Sequence, residues 1–193
     1  MISSLQACKN IVSIVPRCSL FHWVNLQFNV VDDNRVRLLG PDRTCAEWIL
    51  RNGGKVKWVH DEEYVADYNN LPKEEVPVRL QEIDATGSSV MTNGFEHLKG
   101  CKYIGKIILH ECHYLENAAL KELHYVKDSL KFLQVSRCGN VTEAGLMYLL
   151  SLEKLQTLVI FSLPYVEERV KILDTLKKNL KQCTVTFDED RVK

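Results

Sequence analysis

The chain has 193 residues, of which 46% are hydrophobic and 26% charged, with 25 basic and 25 acidic side chains. A formal net charge of zero argues against nucleic acid as the main partner, because binding to phosphates needs a clustered excess of Lys and Arg. No apolar stretch approaches the roughly 18 residues that a transmembrane helix requires. The length suits one or two compact units.

The amino terminus lacks acidic residues as far as Asp32, whereas Lys9 and Arg17 stand among several serines. A basic, serine-containing, acid-free start is typical of a mitochondrial presequence. We therefore predict a presequence over residues 1–19. The same pattern would also fit a secretory signal built on the short apolar run 11–15, or a simple terminal tail.

The next segment has apolar residues at helical spacing. They are Leu20, Trp23, Val24, Phe28 and Val31, with Gln27 on the same stripe. Such a helix could lie in a membrane interface with Trp23 and Phe28 as the contacts. It could equally pack on the following units as part of an N-terminal cap.

Residues 20–79 are predicted to form this mainly helical cap and a linker. Gly40-Pro41-Asp42 favours a helix start, since proline is well suited to the first turn. Asn52-Gly53-Gly54 favours its stop. The alternating run 55–59 predicts a first strand, and the proline-containing stretch 67–77 predicts a turn-rich link.

A block then recurs about every 25 residues. Three runs superpose, each with an alternating Leu-x-Leu core: Ile107-Ile108-Leu109-His110-Glu111-Cys112, Leu133-Gln134-Val135-Ser136-Arg137-Cys138 and Leu158-Val159-Ile160-Phe161-Ser162-Leu163. An earlier degenerate unit aligns Ile83 with Leu109 and Thr86 with Cys112, and a half unit begins at Cys183. Later leucines in each unit are spaced as on the inward stripe of a helix.

This pattern predicts an α/β fold, a leucine-rich-repeat solenoid of the cysteine-containing type. About four and a half repeats would occupy residues 80–193. No unit can bury its apolar face alone, so stacking forms the core. Cys112 and Cys138 are predicted to be buried thiols at equivalent turns, which indicates a reducing compartment.

The outward residues of the strands form the candidate partner-binding face, because repeats of this kind use their concave sheet for binding. They are Glu82, Asp84, Ile108, His110, Gln134, Ser136, Val159 and Phe161. The series runs from acidic to apolar, which predicts a partner with a basic end and an apolar end. Alternatively, the C-terminal segment covers Val159 and Phe161.

Several motifs together resemble the mitochondrial ATP synthase subunit s family, also called coupling factor B. They are Arg35-Val36-Arg37, Gly40-Pro41-Asp42-Arg43, Ala46-Glu47-Trp48, Asp67-Tyr68-Asn69, Leu71-Pro72, Ile83-Asp84-Ala85-Thr86, Cys112-His113-Tyr114 and Cys138-Gly139-Asn140-Val141-Thr142. The resemblance implies a non-catalytic protein associated with ATP synthase, peripheral to the matrix side of the mitochondrial inner membrane. It implies that the protein supports coupled proton conduction and restricts proton leak. It does not decide whether the protein forms a homo-oligomer. A related repeat protein implies an alternative, assembly of the distal membrane arm of respiratory complex I.

The resemblance also implies magnesium between cap and first repeat, with ligands that match Gly53 and Thr86. Mg²⁺ keeps several waters, so few protein oxygens are needed. The family's Cys-x-Cys pair is replaced here by His110-Glu111-Cys112, so that dithiol is absent. Zinc bound by His110, Cys112 and His113 is the alternative, although four converging donors are usual. The sequence lacks the common hydrolase, metalloprotease and phosphate-loop motifs, which favours a binding module over an enzyme.

Overall fold

The computed structural model describes residues 20–188, so the predicted presequence over residues 1–19 lies outside the described residues. Helix α1 spans Leu20–Asn29, α2 Asp33–Leu39 and α3 Pro41–Arg51, followed by strand β1 over Lys55–Trp58. Helix α3 begins at Pro41 and stops just before Gly53, which has φ of 87°, so its predicted start and stop are confirmed. The carboxylate of Asp42 in its first turn accepts the Leu80 backbone N–H at 2.8 Å, which ties α3 to the next strand.

Five strands and their helical connections follow. They are β2 Leu80–Asp84, a 3₁₀-helix Thr92–Leu98, β3 Lys106–His110, α4 Asn117–Glu122 with a 3₁₀ turn Leu123–Val126, β4 Phe132–Ser136, α5 Glu143–Tyr148 with a 3₁₀ turn Leu149–Ser151, β5 Thr157–Phe161, α6 Arg169–Asn179 and β6 Thr184–Asp188. A further 3₁₀-helix, Tyr68–Asn70, lies in the link before β2.

The strands form one six-stranded sheet in chain order, β1-β2-β3-β4-β5-β6. Strand β1 is antiparallel to β2, whereas β2 to β6 are parallel neighbours. The predicted α/β class is therefore confirmed, and each strand-and-helix unit packs beside the one before it. None of the helices within residues 20–188 has the length and apolar character needed to cross a bilayer.

Ile107, Leu133 and Leu158 are paired across β3, β4 and β5, as the superposed runs predicted. The outer units differ. Ile83 pairs with Ile107, two residues from the predicted partner, and Val185 rather than Cys183 pairs with Leu158. The predicted alignment of these two units was wrong, because strand pairing follows the inward residues rather than a fixed spacing of 25.

Alternation of inward and outward side chains builds a continuous core. Cys112 and Cys138 are both 0% exposed, which confirms their predicted burial. The Cys112 thiol donates to the Ala85 carbonyl at 3.0 Å, and that of Cys138 to the Leu109 carbonyl at 3.5 Å. In the first unit the equivalent place, predicted for Thr86, is occupied by Ser88, which is 2% exposed and whose hydroxyl oxygen lies 3.9 Å from Cys112 Sγ.

Candidate partner-binding face

The eight predicted face residues lie on the open side of the sheet, in rows fixed by the strand register. One row runs from Asp84 through Ile108 and Gln134 to Val159. The next contains His110, Ser136 and Phe161. Glu82 is paired with Lys106, a residue that the shifted alignment had left out of the face.

At the end of the face predicted to be acidic, Glu82 is paired with lysines within the molecule. The Glu82 carboxylate pairs with Lys57 and with Lys106, 3.1 Å away, and accepts from the Tyr64 hydroxyl at 2.6 Å. Burial alone would raise the pKa of Glu82, but the hydrogen bonds from Lys57, Tyr64 and Lys106 outweigh it and lower the pKa to about 2. Lys55 also stands beside Asp84 across β1 and β2. Both carboxylates therefore have lysine neighbours, and a basic partner is not required here.

Two predicted contact residues are buried, which corrects the proposed face. Ser136 is 0% exposed, and its hydroxyl is hydrogen-bonded to His110 Nδ1 at 2.7 Å and accepts from Gln134 Nε2 at 2.9 Å. Phe161 is 8% exposed, and its ring centroid lies 5.7 Å from that of His110. Among the predicted face residues, the partly exposed members of these two rows are Asp84, Ile108, His110, Gln134 and Val159.

The predicted magnesium positions lie at two adjoining turns. Gly53 is exposed at the end of α3, and its neighbour Gly54 approaches so closely that an added Cβ would lie 2.9 Å from the Asp84 carbonyl oxygen. Thr86 is exposed as well, and its backbone N–H and hydroxyl donate to Asp84 Oδ1 at 3.0 and 2.6 Å. Asp84 thus adds a carboxylate between the two predicted ligands. Carboxylate, hydroxyl and carbonyl oxygens open to water fit the preferences of Mg²⁺.

The alternative zinc site is not supported. Cys112 is buried and its thiol donates to a backbone carbonyl, whereas His113 is exposed. The hydrogen bond with the neighbouring Cys138 thiol, together with burial, raises the pKa of Cys112, which opposes the thiolate that zinc requires. Across residues 20–188, no three His, Cys, Asp or Glu side chains are grouped as metal ligands.

Helix α1 presents its predicted membrane contacts to solvent. Trp23 is 55% exposed, Phe28 42% and the following Val30 55%. At its N-terminal part, the ring of His22 lies 6.1 Å from that of Tyr114, in the loop after β3. The helix is therefore attached to the rest of the molecule, with an apolar side left open.

Two buried polar groups in the N-terminal part were not predicted. Asn29 is 0% exposed and accepts from Trp48 Nε1 and the Met91 backbone N–H, while its amide donates to Asn52 and Ser89. An asparagine that follows an apolar stripe indicates only the end of a helix. The sequence therefore gave no signal that Asn29 is a buried hydrogen-bonding residue.

The second unpredicted group is Glu47, which is 2% exposed in α3. Its carboxylate pairs with Arg35 at 2.6 Å, Arg43 at 3.0 Å and Arg51 at 3.7 Å. Burial opposes ionisation, but the bonds from Arg35 and Arg43 prevail and lower the pKa of Glu47. The spacing of Arg43 and Arg51, four residues to either side, was a signal that could have found this cluster.

No family model matches the chain. Three curated relatives are each named "ATP synthase subunit s, mitochondrial". The protein from cattle is 37% identical over 170 residues, covering 86% of this chain and 85% of the relative. The rat protein is 37% identical over 164 residues and the human protein 36% identical over 162, each covering more than four-fifths of both sequences. The chain therefore belongs to the family of the mitochondrial ATP synthase subunit s.

Proposed function

We propose that this chain is a non-catalytic, peripheral subunit of mitochondrial ATP synthase that supports coupled proton conduction and limits proton leak through protein–protein contacts. The observation that carries the proposal is the identity of 36–37% over more than four-fifths of relatives with that subunit name. The relatives' names support a mitochondrial location, and the proposed site within it is the matrix face of the inner membrane.

The parallel part of the molecule is proposed to be a leucine-rich-repeat solenoid with a mainly helical N-terminal cap. Support comes from the chain-ordered parallel strands, the repeated strand-and-helix units and the buried thiols at equivalent turns. Such a scaffold suits a binding role, since it offers an extended sheet as a docking surface.

The proposed partner contact is the pair of apolar side chains on the sheet, Ile108 and Val159. They are partly exposed in the Asp84–Val159 row, with His110 and Gln134 beside them. Apolar anchors of this kind commonly contribute most of the binding energy of an interface.

The proposal is tested by affinity purification of the tagged chain from intact mitochondria. We expect ATP synthase subunits to be recovered with it. Ile108→Asp with Val159→Asp should reduce that recovery at least tenfold, because two charges would enter an apolar contact. Val170→Asp is the matched control, since Val170 is 75% exposed on α6, away from the sheet face.

The purification also decides the alternative function. Recovery of complex I assembly intermediates without ATP synthase would replace the present proposal with an assembly role. A folded double variant that retained full recovery of ATP synthase would instead remove the sheet face from the interaction.

Magnesium is proposed to bind at the turns of Gly53 and Thr86, with Asp84 between them. When bound, the ion would link the end of α3 to the end of β2, and it would stabilise the folded chain because the unfolded chain has no such site. We expect millimolar Mg²⁺ to raise the melting temperature. Thr86→Val should abolish that increment, whereas Thr184→Val, an exposed threonine on β6, should preserve it. Equal increments in both variants would contradict the site.

The apolar side of α1 is one candidate membrane surface, because Trp23 and Phe28, the predicted contacts, are exposed there.

A further inference from the structure

Although the net charge is zero, basic and acidic residues are concentrated at different edges of the sheet. One edge consists of the loops that lead into the parallel strands, together with the last turn of α6. We call it the lysine rim. Its basic residues are Lys73, Arg79, Lys99, Lys102, Lys106 at the start of β3, Lys127, Lys131, Lys154, Lys177, Lys178 and Lys181, against Glu74, Glu75, Asp128 and Glu153 as its acidic ones.

The opposite edge consists of the loops that follow the strands, and we call it the acidic rim. Its acidic residues are Asp84, Glu111, Glu116, Glu143, Glu167 and Glu168, against Arg137 and Arg169 as its basic ones. The two edges of the same sheet therefore carry opposite charge.

Backbone hydrogen bonds hold the loops of the lysine rim in line. Lys131 N donates to the Gly105 carbonyl and Gln156 N to the Lys131 carbonyl, both at 2.8 Å, and Thr184 N donates to the Gln156 carbonyl at 2.8 Å. Since neighbouring strands are about 4.8 Å apart, the rim from β2 to β6 extends about 20 Å. Its lysines thus form a row along one edge rather than a pocket.

The rim lysines are available for binding. Lys102, Lys127, Lys131 and Lys181 are exposed and form no ion pair with the described residues, as is also true of Lys99, Lys177 and Lys178. Lys154 pairs with Asp128 at 2.9 Å and Lys106 with Glu82 at 3.1 Å.

The acidic rim, in contrast, is largely satisfied within the molecule. Glu111 pairs with Arg137 at 2.8 Å, and Glu143 Oε1 accepts from the backbone N–H groups of Glu167 and Glu168 at 2.5 and 3.2 Å. Excess charge that lacks internal partners is therefore concentrated on the lysine rim.

We propose that the lysine rim docks on an anionic phospholipid surface. A straight row of exposed lysines matches a plane of phosphate headgroups, whereas a compact ligand would need converging groups. Tyr103, 44% exposed in the same rim with Arg79 over its ring at 4.9 Å, adds an aromatic side chain of the type found at membrane interfaces. The proposal depends on the proposed function only for the identity of the membrane, which would be the mitochondrial inner membrane.

This docking sets the orientation of the molecule. The acidic rim would be repelled by anionic lipid and would face away from the membrane. Helix α1 meets the acidic rim through the contact between His22 and Tyr114. The other end of α1 also lies at this edge, where the Asn29 amide donates to the Ser89 carbonyl in the loop after β2. Since α1 lies at the edge opposite the lysine rim, one flat membrane would not contact both candidate surfaces.

The test measures binding of the full chain to phosphatidylcholine vesicles with and without phosphatidylglycerol. The rim variant is Lys102→Gln, Lys131→Gln, Lys181→Gln. The control variant is Lys55→Gln, Lys121→Gln, Lys171→Gln, which removes the same charge from exposed lysines outside the rim. Both keep residues 1–19, so any contribution of that segment is shared. A third variant, Trp23→Ser with Phe28→Ser, tests the surface of α1.

We expect binding only to vesicles that contain phosphatidylglycerol, with loss of binding at 1 M salt, where charges are screened beyond about 3 Å. Each rim lysine should contribute about fivefold in affinity, so the rim variant should bind about 100-fold more weakly. The control and the α1 variant should stay within about threefold of the unmodified chain.

Equal losses in the rim and control variants, or unchanged binding of the rim variant, would overturn the proposal. So would loss of binding in the α1 variant alone, or absence of binding by the unmodified chain. The vesicles contain no ATP synthase, so failure here is separate from failure of the co-purification. If the rim variant bound vesicles normally but lost ATP synthase, the rim would be a protein interface and the lipid proposal would be wrong.

Discussion

Glu82 shows at the residue scale how an outward position on the sheet can be structural. Its side chain is 14% exposed and is held between Lys57, Lys106 and Tyr64, so the carboxylate binds within the molecule instead of awaiting a partner. A partly buried carboxylate with two lysines and a hydroxyl donor is stabilised more than an exposed ion pair, whose contribution is usually below about 1 kcal/mol.

The lowered pKa of Glu82 predicts a dependence of stability on pH. The folded pKa of about 2 lies below the ordinary value of 4.5, so the stabilisation is complete above pH 4.5 and is lost as the pH falls toward 2. Glu82→Gln should lower the free energy of unfolding at pH 7 by on the order of 2 kcal/mol. Below pH 4.5 its unfolding free energy should fall less steeply than that of the unmodified chain.

Chemical denaturation at several pH values measures this difference. Glu153→Gln, in an exposed loop, serves as the control and should leave the free energy at pH 7 within about 0.5 kcal/mol. Parallel pH curves for the unmodified chain and Glu82→Gln would show that the carboxylate is not held as described.

The sequence predicted the face of the sheet on which Glu82 lies but not the residues that it contacts. Alternation with Ile83 placed it on the open face, because side chains in a strand point to opposite sides in turn. Its partners come from β1, which is antiparallel, and from β3 at a register two residues from the predicted one. Neither the direction of β1 nor that register is encoded in local periodicity, since both depend on packing between segments.

At the scale of elements, α1 is held by a polar side chain rather than by an apolar stripe. Asn29 joins the end of α1 to α3 through Trp48 and to the loop after β2 through Ser89 and Met91. Gly94 is required beside it, because a Cβ there would lie 2.4 Å from Asn29 Oδ1. The helical spacing correctly predicted a helix, but it gave no indication that the polar Asn29 is the buried residue that attaches α1, whereas Trp23 on the apolar stripe is exposed.

Replacing Asn29 with Ala should therefore release α1. The change leaves Trp48 Nε1 and the Met91 N–H buried without acceptors, which should cost about 2–4 kcal/mol. Faster hydrogen exchange over residues 20–31 is the expected signature. Asn140→Ala, which removes a single exposed bond to the His113 carbonyl, should cost less than about 1 kcal/mol. Unchanged exchange in α1 after Asn29→Ala would contradict the anchoring role.

At the scale of the whole molecule, each unit is stabilised by the units on either side of it. Strands β3 and β4 are paired along both edges, whereas β6 is paired with β5 along one edge within the described residues. The sequence predicted this stacked order well for the three regular runs, whose inward residues pair as expected. It was less successful for the outer units, because their spacing departs from 25 residues and only the packed register reveals their alignment.

Stability should consequently fall from the centre of the stack toward β6. Leu133, 0% exposed in β4, is enclosed on both sides, whereas Val185 in β6 is 7% exposed. Leu133→Ala should lower the free energy of unfolding by about 3–5 kcal/mol, and Val185→Ala by about 1–2 kcal/mol, because the end of a stack can relax around the smaller side chain. Hydrogen exchange should likewise be slowest in β3 and β4 and fastest in β6, where opening exposes the least apolar surface. Uniform exchange across all the parallel strands, with equal costs for the two substitutions, would mean that the sheet opens as a single cooperative unit and that the end strand has no special lability.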